Sequence, residues 1–137
     1  MSQLSKAVAV NLQIPRWIIV FAALAALLLA AGASISLLAP QRLVPPGVEI
    51  NSAAQIYAGY TFSRDLGLFI MLGIGLIKRS RSILTLMMSL FSLINFCDAI
   101  MDLKESRLPV FAIAFLLSLI AAMATRRLAE TDLRSAA

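Results

Sequence analysis

Histidine is missing from this chain, and cysteine occurs once, as Cys97, among 137 residues. Without an imidazole there is no ordinary general base, proton shuttle or nitrogen metal ligand, and a single thiol closes neither an internal disulfide nor a zinc site. No metal site is expected. There is also no phosphate-binding glycine loop and no G-x-S-x-G nucleophile pattern, which removes the common signatures of nucleotide and acyl-transfer enzymes. Cys97 reads as a small buried hydrophobe. Charge is sparse too, at 14% of residues, and no internal repeat or low-complexity linker divides the chain.

What fills the chain instead is apolar. Hydrophobic residues make up 61% of it, whereas a soluble domain is close to half apolar, so the excess must face lipid. Four runs carry that excess, at about 17–39, 54–77, 83–103 and 108–125, each near the ~20 residues a helix needs to cross ~30 Å of hydrocarbon. A β-barrel would show short alternating segments, and an open sheet leaves backbone groups unsatisfied in lipid. The expected fold is therefore all-α, a single antiparallel four-helix transmembrane bundle over 1–137.

The net charge of +5 is explained by topology rather than by nucleic acid. With four spans, one side holds Lys6, Arg16, Lys78, Arg79, Arg81, Arg126, Arg127 and Arg134, and the other holds Arg42, Lys104 and Arg107. This positive-inside bias predicts both termini in the cytoplasm, in a cell (inner) membrane, with Trp17 at the inner interface and Tyr57 and Tyr60 towards the outer one. Ala31-Gly32-Ala33 resembles a signal-peptidase site, but the apolar run continues past it through Leu38, as a full span does. The connections have their own signals. Pro40, Pro45, Pro46 and Gly47 impose an irregular loop, and Ser52 with Gln55 reads as a capping box. Ser106 reads as the N-cap of the last span, and the tail after Arg127 is expected to fray. Small residues four apart, at Ala22, Ala26, Ala30 and Ser34, at Gly59, Ser63, Gly67 and Gly75, and at Ala114, Ser118 and Ala122, read as packing stripes.

Polar residues inside the spans carry the functional hint, because a charge at the membrane centre costs about 2.5 to 3.5 kcal/mol on insertion scales and persists only where the protein satisfies it. Arg64 and Asp65 lie mid-span in the second run. In the third, Asn95, Asp98 and Asp102 share one helical face, and Tyr57 and Tyr60 share a face with Arg64. An Arg64–Asp98 pair between neighbouring helices is predicted, with Asp65 rotated about 100° so that it must meet another neighbour, bond Asn95 or stay protonated. Two readings follow. The cluster is an ion pair that fixes helix order and register, or it is a polar pocket with Arg64 as anchor for an anion or carbonyl, Asp65 and Asp98 as proton acceptors, Asn95 as an orienting amide and the tyrosines as walls.

Ser63-Arg64-Asp65-Leu66-Gly67-Leu68, the Lys78-Arg79-Ser80-Arg81 turn and Asp98-Ala99-Ile100 resemble the small four-helix DoxX-like membrane proteins. The likeness is to a branch without an assigned reaction, marked by an R-D-x-x-x-G-like second helix and a G-D-A-like end of the third. Arg64, Asp65 and Asp98 fall on the matching positions, while Cys97 and Gly67 depart from the pattern. The expected function is a non-enzymatic subunit or a binder of a small lipophilic ligand, built around Arg64, Asp65 and Asp98. The alternative is a membrane enzyme acting on a quinone or other lipophilic substrate. The resemblance permits a quinone or lipid as the bound group, and a second copy or a membrane oxidoreductase as partner beside the bilayer itself.

Overall fold

The structure is a computed structural model, and it describes residues 14–42 and 51–136, with side chains to residue 130. Four long helices follow one another: α1 (Arg16–Leu38), α2 (Ser52–Ile77), α3 (Arg81–Lys104) and α4 (Leu108–Ala136), with a short 3-10 turn at Pro40–Arg42 and no strand among the described residues. All four are long and apolar enough to cross a membrane, and the protein is an integral, multi-pass membrane protein.

Each helix starts and stops for a local reason. α1 opens on the carbonyl of Pro15, which accepts from Ile18 and Ile19. It ends at Ala39, where Pro40 pushes the preceding backbone out of the helical region (φ −148°). α2 begins one residue before the expected capping box. Asn51 is its N-cap and accepts from Ala54 N at 2.9 Å, because a short amide reaches the free N–H groups of the first turn. The loop 43–50, with Pro45, Pro46 and Gly47, lies outside the described residues.

The two tight turns are built alike. Ser80 N donates to Gly75 O at 3.0 Å and Arg79 N to Leu76 O at 3.2 Å, and Arg107 N donates to Asp102 O at 2.8 Å and Ser106 N to Leu103 O at 3.1 Å. Both are Schellman closures, which need one left-handed residue; Arg79 (φ 48°) and Ser106 (φ 58°) supply it. Ser106 is thus the residue that ends α3, not the N-cap of α4. Its left-handed backbone reverses the chain at that point.

The core fills the half of the bundle nearest Arg16 and the α2–α3 turn, called here the basic end. Ile18, Ala22, Ala25, Ala26 and Leu29 of α1, Leu68 and Leu72 of α2, Leu84, Met87, Met88 and Phe91 of α3, and Ala121, Ala124 and Leu128 of α4 form one buried cluster. Phe21 meets Phe91 edge to face at 6.3 Å, tying α1 to α3. Helices α1 and α2 pair closely, as do α3 and α4, whereas the two hairpins touch more sparsely. A polar seam zips α3 to α4. Ser92 Oγ donates to Ser118 O at 2.9 Å, Ser89 Oγ reaches Thr125 Oγ1 at 3.4 Å, and Arg81 Nη2 donates to Leu128 O at 2.9 Å. Such bonds are worth ~0.6 to 2 kcal/mol each between helices in lipid.

Four sequence expectations change here. The α2 stripe is not a helix contact, because a Cβ on Gly59 or Gly67 would meet nothing within 4 Å. Only Gly75 approaches a neighbour, with Ile83 at 3.0 Å from such a Cβ. In α4 the buried small residues run Ala114, Ser118, Ala121 and Ala124, so Ala122 points outward and the contact follows the 3.6-residue period rather than a strict four. α4 continues as helix to Ala136 rather than fraying after Arg127. Leu128 is fully buried, and Arg126 pairs with Glu130 one turn later at 2.7 Å. Cys97 is exposed, since Ala99 takes the buried face and Cys97 is rotated away from it.

Candidate functional site

Arg64 lies thirteen residues from Ile77, and Asp98 seventeen from Arg81, so both stand ~20 to 25 Å above the basic end of a ~30 Å apolar layer. At that height the large core residues give way to small ones such as Ala33, Ala99 and Ala114, and the helices leave a cleft of about 200 Å³. Leu68 and Phe91 belong both to the core cluster and to this cleft, and they form its floor. Leu28 and Leu29 of α1 and Leu117 of α4 are apolar walls, and Arg64, Asp65, Asn95 and Asp98 bring the polar atoms.

The guanidinium of Arg64 is shared. Its Nε donates to Asp65 Oδ1 at 3.1 Å, and its Nη1 lies 3.5 Å from Asp98 Oδ1. The contact between α2 and α3 expected from helix geometry is therefore present, and the adjacent Asp65 joins it because the long arginine side chain can fold back along its own helix. Asp65 is the more enclosed acid: its side chain is 10% exposed, against 46% for Asp98 and 40% for Arg64. Asn95 spends its amide nitrogen on the Phe91 carbonyl of its own helix at 2.8 Å. It does not bond Asp65.

Asp65 faces α1, which the sequence did not single out. A Cβ built on Gly32 would stand 2.8 Å from Asp65 Oδ2, so only glycine lets the carboxylate lie this close to the α1 backbone. Ser36, one turn on and buried, bonds the Gly32 carbonyl at 2.8 Å and keeps its own hydroxyl satisfied. The signal for this contact was the Ala31-Gly32-Ala33 triplet, in which a helix-weakening glycine sits mid-span.

Three residues expected in the cluster lie elsewhere. Asp102 is one turn nearer the α3–α4 connection and pairs with Arg107 Nη1 at 3.4 Å, which closes that turn. Tyr57 and Tyr60 are 71% and 69% exposed on α2, which rises past the end of α3, and they stand at the height of the membrane interface rather than in the cleft wall. They share a helical face with Arg64, but the arginine bends inward and the tyrosines do not. Arg64 is also no free anchor for an anion, because two carboxylates already engage it.

A second cavity adjoins the first. Between α1 and α4 runs an apolar groove of about 430 Å³, lined by Phe21, Leu24, Ala25, Leu27, Leu28, Leu117 and Ile120. Leu28 and Leu117 border both spaces. No group of three or more acidic or cysteine residues able to hold a metal ion occurs among the described residues. Compared with protein-family models, with curated proteins and with solved structures, the chain matches none.

Proposed function

We propose that this protein is a non-enzymatic membrane subunit or small-ligand binder of DoxX-like type, whose intramembrane cleft receives the polar head of a lipophilic molecule. The observation that carries this reading is the position of Arg64, Asp65 and Asp98. Three charged side chains are costly at this depth, and here they border an open cleft rather than a closed core. An ion pair kept only to fix helix register has no need of a cavity beside it. A lipid or a quinone-like molecule is the class of ligand the resemblance admits, and a membrane oxidoreductase or a second copy is the class of partner. Native mass spectrometry of the purified protein is expected to show one lipophilic molecule per chain, lost in a Leu28→Trp variant that fills the cleft wall. Retention of the same adduct by that variant places the ligand elsewhere and removes the proposal.

The same reading sets the orientation. Lys78, Arg79, Arg81, Arg126, Arg127 and Arg16 crowd the basic end, and Arg42, Lys104 and Arg107 are on the opposite one. The charge excess supports a cytoplasmic basic end in a cell (inner) membrane, with the cleft in the outer half of the bilayer. In a Cys97→Ser background, cysteine at Gln41 or Glu105 is expected to react with an impermeant thiol reagent added to intact cells, and cysteine at Ser80 to react only after lysis. The inverse labelling pattern reverses the topology.

A further inference from the structure

The cleft is rich in hydrogen-bond acceptors and holds more acidic groups than basic ones. Asp65 and Asp98 bring two carboxylates against the single guanidinium of Arg64, and two of that guanidinium's three nitrogens are already engaged. Asn95 adds to the imbalance. Its amide nitrogen is bonded to the Phe91 carbonyl, so its oxygen is the atom left for the cleft, and no donor among the described residues bonds it. A site of this kind is complementary to a group that brings hydrogens and positive charge. An anion entering it would meet two carboxylates at low dielectric, and a bare carbonyl would compete with them for the arginine.

The apolar groove supplies the other half. It meets the cleft at Leu28 and Leu117 and descends along α1 from Leu28 to Phe21, seven residues or ~10 Å towards the basic end. Polar cleft and apolar groove thus adjoin at these two side chains as the two halves of a slot, acceptor-lined above and greasy below. Resting on the binder reading above, we propose that the slot takes a single-tailed amphiphilic amine: its ammonium group sits among Asp65, Asp98 and Asn95, and its alkyl chain lies in the groove between α1 and α4. The ammonium would give each acid a positive partner, and the chain would cover Phe21 and Leu24, which otherwise line an open groove.

Three probes of equal chain length separate head-group chemistry from greasiness: dodecylamine, dodecanol and dodecanoic acid. Each is titrated at neutral pH into the purified full-length protein in a non-ionic detergent, with complexes counted by native mass spectrometry and thermal unfolding followed in parallel. Dodecylamine is expected to bind one per chain and raise the melting temperature, with dodecanoic acid at least ~10-fold weaker, as expected where like charges oppose. Asp98→Asn, which leaves the neutral Arg64–Asp65 pair intact and so retains the fold, is expected to weaken the amine by about tenfold and the alcohol little. Leu28→Trp is expected to block both. Amine binding indifferent to Asp98→Asn, or acid binding as tight as amine, overturns the amine assignment. Leu28-dependent binding of the alcohol or acid without the amine also overturns it, while leaving the binder reading standing. If no probe binds, both are wrong.

Discussion

Replacing Arg64 by methionine is expected to be the most damaging single change in the membrane-embedded part of this protein. Arg64 is the positive partner of both Asp65 and Asp98, and the Asp65 side chain is only 10% exposed. Stranding a buried charge typically costs about 3 to 5 kcal/mol, whereas removing both members of a pair in favour of apolar groups of similar volume is often neutral or better. Thermal unfolding of the purified variants should therefore show a large loss for Arg64→Met and substantial recovery for Arg64→Met with Asp65→Leu. Asp98→Leu alone should cost clearly less than Arg64→Met, since its removal leaves Arg64 matched to Asp65. The three measurements rank the two acids. If Asp98→Leu is as harmful as Arg64→Met, then Asp98 is the essential partner and the order argued here is wrong.

The next largest effect belongs to a residue without any side chain. Gly32→Ala places a methyl group 2.8 Å from Asp65 Oδ2, and either the carboxylate turns away from α1 or the α1–α2 hairpin opens. Overpacking of this kind costs about 1 to 3 kcal/mol. The same substitution at Gly67 adds a methyl that meets nothing, and alanine is the better helix former by ~1 kcal/mol, so Gly67→Ala is expected to be neutral or stabilising. Melting temperatures of the two variants in one detergent make the comparison. A damaging Gly67→Ala would mean that the exposed Gly59–Gly67 face of α2 is covered in the membrane by another chain.

The sequence by itself determined the number of helices, their antiparallel order and the depth of the charged residues. Hydrocarbon thickness and backbone satisfaction leave a chain this apolar few other folds, and a rise of ~1.5 Å per residue converts position into height. The contact of Arg64 with Asp98 was legible for the same reason: two neighbouring helices joined by a short turn carry opposite charges at similar heights. Rotation of each helix about its own axis was not. Four apolar helices have nearly uniform surfaces, so periodicity does not say which face meets protein and which meets lipid, and Gly59 and Gly67 of α2 were assigned to a contact when they face outward. The same ambiguity hid the role of α1. Only packing shows that Leu28 and Leu29 form a wall of the cleft, that Gly32 admits Asp65 against α1, that Asp102 is diverted to Arg107, and that Tyr57 and Tyr60 stay at the interface. Side-chain height is a property of one helix, fixed along the chain, whereas a cleft exists only between helices. Its lining depends on how the α1–α2 hairpin turns against the α3–α4 hairpin, and tertiary contacts alone decide that angle.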